Sequence, residues 1–536
     1  MHTFMKVRLL FFFLLCATFL GKTQDWIIQS HFEGMENEVS STLTFSETGN
    51  LLIGGAFSGT LQYEGSMLES TGEDDIFLFE LLPDQTVAWS FTGGSVVDDA
   101  LVAVERDVEG NIYLAGTYWI EASFGSITLT SSLNSRAIFL LKLNANGEPL
   151  WGKSIDGSAL KDVGGLVVAA DGSFFLTGYF GGNLLLDEDN SLSATGNTDT
   201  FFTKWSSDGD LIWAKQAGQT ENTRAVTSHL SANGDLITTG IFDGMLEIDG
   251  NSLFSESDDW DVFLIELNQE SGALQWLRQA GGVFDQLVES MDTDLEGNIY
   301  LTGSIVGVMS LSTEISIQSE TANPDLFIVK YAADGTPLWA KAAGSDLSQK
   351  ASSLHVDEQE LAICGFTQGA FSIDGQTLNP GEGLGGFALG FDLDATLQWW
   401  QAFGSEGSVF CDRITHASDG TTLLSGSFQE TLSLDTDILA IDGFDLFIAS
   451  RGNITSVGEE MEMIAPVLYP NPTAGQLSFS KKIELAKVNL YDSMGKKIAV
   501  PVQEDGMDLS NLKTGLYLVE WIERQRKFIF KIVVER

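Results

Sequence analysis

Basic residues are scarce in this chain. Only 28 of 536 residues are Lys or Arg, against 75 Asp or Glu, a formal net charge of −47. A field of that sign repels phosphate backbones and anionic headgroups, which excludes nucleic acid as a natural partner and leaves cations, cationic polymers and neutral surfaces. Cysteine is scarcer: Cys16, Cys364 and Cys411. No disulfide framework can be built from three, and the last two are expected as buried free thiols. Histidine is limited to five, and His31, His229, His355 and His416 lack the short paired spacing of a zinc site. Beyond the first 23 residues no apolar run is long enough to span a bilayer as a helix. Helix-favouring composition is also missing. The 56 Gly and 35 Phe break the chain into short apolar runs that read as strands.

What is abundant is repetition. Tryptophan recurs at Trp26, Trp89, Trp151, Trp213, Trp276, Trp339 and Trp400, at intervals of 63, 62, 62, 63, 63 and 61. A glycine closing an apolar run recurs at Gly55, Gly116, Gly178, Gly240, Gly303, Gly365 and Gly426. A phenylalanine recurs at Phe77, Phe139, Phe201, Phe263, Phe327, Phe387 and Phe447. Each period reads as four strand-like runs, with Asn146-Gly147 or Asp208-Gly209 supplying the hairpin before the Trp strand. Seven units of four antiparallel strands predict an all-β, seven-bladed β-propeller over residues 24–452. In it, Gly allows close approach of blades and Phe and Trp fill the space between them. The last unit has Gly426 and Phe447 but no Trp strand after them, whereas Trp26 precedes the first Gly. Residues 25–34 are therefore expected to be the fourth strand of the last unit, pairing chain start with chain end.

These units resemble the bacterial β-propeller repeats abbreviated SBBP, as in Asn298-Ile-Tyr-Leu-Thr-Gly303, Asp325-Leu-Phe-Ile-Val-Lys330 and Leu338-Trp-Ala-Lys341. The resemblance speaks to fold and hardly to activity.

The ends differ from the middle. Residues 1–23 carry Lys6 and Arg8 before the apolar run Leu9–Leu20 and read as a secretory signal peptide. Residues 453–462 read as a polar linker. Residues 463–536 carry 11 basic and 8 acidic residues, which leaves the segment between signal and tail with 14 basic against 67 acidic, a net of −53. The tail alternates like a small β-sandwich. Its run Leu468-Tyr469-Pro470-Asn471-Pro472-Thr473, then Val488–Gly495, then Gly515-Leu-Tyr517, resembles the type A sorting domain of the type IX secretion system. That resemblance implies a Bacteroidota-type bacterium and export through the periplasm. It also implies recognition by the secretion machinery at the outer membrane, with the protein delivered to the cell surface or the medium.

No catalytic constellation stands out. The loops between the fourth strand of one unit and the first of the next carry Asp98, Asp99, Asp162, Glu221 and Asp285. If they approach one mouth of a channel, they would form a cation site, with calcium as the ion. No other cofactor is implied. The expected function is an exported binding module for a glycan or protein. The alternatives are a polysaccharide hydrolase or lyase working through such carboxylates, and a structural surface or adhesion component.

Overall fold

The computed structural model describes residues 26–452 and 468–534 apart from short stretches, and the described residues contain strands and no helix. The predicted signal peptide and linker lie outside the described residues, as do Pro470, Asn471, Pro472 and Gly495. The chain divides into two compact units, Met1–Ile454 and Thr455–Arg536.

The first unit is built from four-stranded antiparallel sets. In the fifth set, Gln286–Thr293, Ile299–Ile305, Asp325–Tyr331 and Pro337–Ala343 pair in chain order. Sets of the same order begin at Glu38–Phe45, Ala100–Arg106, Lys161–Val168, Thr223–Leu230, Gln349–Val356 and Val409–His416. The last of these takes its fourth strand from the chain start: Ile27–Gly34 pairs antiparallel with Asp445–Arg451, with His31 opposite Phe447. The expected pairing of the two ends is therefore present. The seven first strands touch one another in sequence order, and Val409–His416 touches Glu38–Phe45 in turn.

The recurring glycines have a more local cause than close approach of neighbouring sets. Every first strand carries a β-bulge, for example between Val288 and Ser290, and the recurrent Gly lies opposite it. A Cβ at Gly303 would collide with the Leu287 carbonyl, and one at Gly116 with that of Ala100. Each of these glycines also pairs across the sheet with the recurrent Phe, as Gly116 with Phe139 and Gly303 with Phe327. At Gly116, Gly178, Gly240, Gly365 and Gly426 the ring also lies over the space a side chain would need. Glycine and phenylalanine are thus one device, repeated seven times.

The tryptophans join one set to the next. The indoles of Trp89, Trp151, Trp213 and Trp276 lie over Gly147, Gly209, Gly272 and Gly335 in the third-to-fourth turn of the following set. Three of them donate Nε1–H to that turn: Trp89 to the Ala145 carbonyl (3.2 Å), Trp151 to Ser207 (3.3 Å) and Trp213 to Gln269 (3.1 Å). Two expectations need correction. In the sixth set the equivalent of Trp339 is Trp399, paired with Gly390 as Trp339 is with Lys330, whereas Trp400 is 36% exposed. In the closing set the equivalent position is Ile27, opposite Ser450. Trp26 instead turns inward against Trp399 (5.7 Å) and Phe403 (5.5 Å). Periodicity alone located a tryptophan within one residue of the slot but not which way its ring faced.

Cys364 and Cys411 are buried free thiols, as expected. The second unit has two four-stranded sheets over one cluster of Leu477, Leu490, Met507, Tyr517, Val519 and Ile532. Tyr517 donates its hydroxyl to the Lys513 carbonyl (2.9 Å), which ties the strand start at Gly515 to the turn before it.

Candidate functional site

The acidic loops were the sequence candidates for a cation, and their carboxylates are occupied locally. Asp162 pairs with Arg136 (3.1 Å). Exposed Glu221 accepts from Asn197 Nδ2 (2.9 Å), and exposed Asp285 from the Trp260 amide (3.2 Å). Asp98 is exposed. Its neighbour Asp99 is buried and accepts from the Ser95 amide; burial pushes its carboxyl up to about 7, against the lowering effect of that bond. Among the described residues, no three His, Cys, Asp or Glu side chains form a group set to hold a metal ion. The Asp292–Gly297 stretch, which has the opening of a calcium loop, spends its carboxylates elsewhere. Asp294 accepts the Glu296 and Asn298 amides (3.0 and 2.9 Å) and caps an ordinary turn.

His229, His355 and His416 come together, although their sequence spacing is not that of a metal site. Asp292 accepts from His229 Nε2 (3.2 Å) through one oxygen and from His355 Nδ1 (3.1 Å) through the other. It also accepts the Val356 amide (3.0 Å). His355 stacks edge-on against His416 (5.0 Å), which bonds Asp357 through Nδ1 (2.9 Å). Burial alone would push the His229 imidazole down, but the bond and charge of Asp292 outweigh it and hold it at about 9. Asp292 is held well below the usual carboxylate range by the two imidazoles, in spite of burial. Glu105 lies in the same field. Burial pushes it up to about 7, eased by the His229 charge and worsened by that of Asp292. The signal was in the sequence: residues 105, 229, 292 and 355 hold the same register position, each opposite the third residue before the recurrent glycine. Metal-ligand spacing was the wrong ruler, because in a repeat fold neighbours in space are one period apart in sequence.

At the opposite end of the sets, the second-to-third and fourth-to-first connections carry exposed aromatics. Trp119 is 38% exposed, Phe254 62% and Phe284 56%. At the start of the first strand of the fourth set, the Arg224 guanidinium is sandwiched by the rings of Tyr179 (5.1 Å) and Trp260 (5.0 Å), a cation–π arrangement that fixes a charged group among flat apolar faces.

Residues 467–535 match the family described as the secretion system C-terminal sorting domain. The tail is therefore a type IX sorting domain, and the protein is exported to the cell surface or secreted. The chain is similar to the regulatory protein FlaEY of Caulobacter vibrioides, at 24% identity over 332 residues, 57% of this chain and 34% of that protein. It is also similar to a WD repeat-containing protein of Acanthamoeba polyphaga mimivirus, at 18% over 446 residues, 68% of this chain and 32% of that one. The chain spans about a third of the length of these curated relatives. Among solved structures, a DUF4221-family member from Bacteroides vulgatus aligns with a TM-score of 0.29 at 11% identity, covering 64% of this chain and 93% of that one. A glycoside hydrolase family 43 arabinoxylan arabinofuranohydrolase from Bacillus subtilis, in complex with cellotetraose, aligns with a TM-score of 0.26 at 10% identity, covering 81% and 89%. Likenesses this slight bear on neither fold nor activity.

Proposed function

We propose that residues 24–452 form a seven-bladed β-propeller of the SBBP repeat type, which acts after type IX export as a binding module without turnover. The seven sets of four strands, the cyclic contacts of their first strands and the pairing of Ile27–Gly34 with Asp445–Arg451 support the architecture. The observation that carries the binding reading is the aromatic end of the sets. Trp119, Phe254 and Phe284 stand in solvent on the connections at that end, which also carries the Tyr179–Arg224–Trp260 sandwich. Exposed rings and a fixed hydrogen-bond donor at one end suit the apolar faces and hydroxyls of a neutral glycan, and equally an aromatic patch on a protein. The surrounding acidity disfavours anionic polymers. A glycan and protein array probed with the mature chain tests this. The Trp119→Ala, Phe284→Ala double variant should bind its ligand at least tenfold more weakly, about 1.4 kcal/mol. A hit that the double variant binds as tightly, or a hit that is hydrolysed, would refute the reading.

A further inference from the structure

The joint between the last set and the first has no indole, and a cavity of about 610 Å³ opens there. Its walls include Ile27, Phe45, Leu82, Pro83, Ala417 and Leu423. Three of these mark it as an unfilled tryptophan slot. Ile27 stands at the register position that Trp339 holds in the fifth set, and Leu82 and Pro83 belong to the third-to-fourth turn that an indole would cover. The Pro83 carbonyl holds the turn position of the Ala145, Ser207 and Gln269 carbonyls, which accept indole N–H at the other joints.

A second observation points the same way. At the turn position beneath the indole the chain places Gly147, Gly209, Gly272 and Gly335, all at positive φ, and Ala395 in the sixth set (φ 65°). A Cβ at Gly147 would come within 2.6 Å of the Trp89 ring. Only the first set puts a long side chain there, Gln85 at φ 67°. A large residue at positive φ is unfavourable, and it persists here where no ring presses on it. Gln85 donates to Gln29 Oε1 (2.6 Å), and Gln29 to Ser450 Oγ (2.6 Å), so the cavity is held open by a hydrogen-bonded strut rather than closed by packing. A cavity of this size is within the range of small-molecule sites, and it combines apolar walls with polar side chains, among them Gln29, Ser46, Asp419 and Thr421.

We propose that this seam is a binding site for a planar bicyclic aromatic small molecule bearing one N–H donor, of the indole class. The ring takes the place of the missing tryptophan against Leu82 and Leu423, and its N–H meets the Pro83 carbonyl. The site is distinct from the aromatic end of the sets and rests on strand register, not on the ligand proposed above.

Indole titrated into the mature full-length protein by calorimetry should bind with a stoichiometry of one. Ile27→Trp, which fills the slot from within, should weaken that binding at least tenfold and raise the melting temperature. Leu82→Arg, on a partly exposed wall, should weaken binding without the gain in stability, and keeps the test open should Ile27→Trp fail to fold. Val96→Trp, on the remote surface, should leave binding unchanged. Absence of indole binding, or binding that both Ile27→Trp and Leu82→Arg leave intact, would overturn the proposal. Binding of N-acetyl-tryptophanamide with none of indole would also overturn it, in favour of a tryptophan presented by a peptide.

Discussion

Asp292 between His229 and His355 makes the stability of the first unit depend on pH with a calculable sign. His229 is held at about 9 against an ordinary 6.5, so its contribution is complete below 6.5 and is lost as pH rises through 9. Glu105 and Asp99, pushed up to about 7 from 4.5 and 3.8, bind protons more readily folded than unfolded, so stability also falls between those values and 7. The melting temperature should therefore decline from about pH 5 to about pH 9. Asp292→Asn removes what raises His229 and should flatten the upper part, from 6.5 to 9, which melting curves across that range would register as a loss of parallelism with the parent protein. A second residue-scale expectation concerns the turns. Gly147→Ala must accept both a positive φ and the Trp89 ring, and should cost about 2 kcal/mol or more, whereas Gln85→Ala, at a φ already borne by a side chain, should cost only about 1 kcal/mol for its bond to Gln29. Denaturant midpoints separate the two.

Among the elements, the fourth strand of each set was legible because it carries a rare, large residue at a fixed interval, and the Gly–Phe pair because both halves recur. What periodicity could not supply was the direction of a side chain. Trp399 and Trp400 are adjacent, and only the register with Gly390 and Leu389 assigns the joint to the first. Trp399→Ala should cost about 3–5 kcal/mol for a buried ring in contact with Trp26, and Trp400→Ala much less, as thermal unfolding would show. The histidine cluster escaped for a related reason: its members come from three first strands, and no local pattern within one strand announces it. The carboxylates of the connecting loops failed as a site because Arg136, Asn197 and the Trp260 amide, none of them predictable from spacing, hold three of them singly.

For the molecule as a whole, the division after Ile454 separates a tail that addresses the protein from a body that acts. Removing residues 463–536 should leave the body folded, with an unchanged melting transition, and strand it in the periplasm of its native host. Fractionation that finds the truncated protein at the surface would show that the body carries an address of its own. Removing residues 25–34 should do the reverse: the tail is intact, but Asp445–Arg451 loses one of its two partner strands and the melting temperature drops sharply.

That last pairing also sets a clock. Gln29 bonds Ser450 across 421 residues of chain, so the strand Ile27–Gly34 waits for Asp445–Arg451, the last strand of the first unit, before its pairing is complete. At synthesis rates of about 5–20 residues per second the interval is about 20–80 s. Throughout it, Ile27–Gly34 lacks its main partner, only Glu33 and Gly34 pairing with Gln62 and Leu61, and it presents a free edge, the form most prone to pair with a neighbouring chain. Until the first unit closes, the protein is therefore most vulnerable at its beginning, and a holding factor would have its greatest effect if it met that segment first.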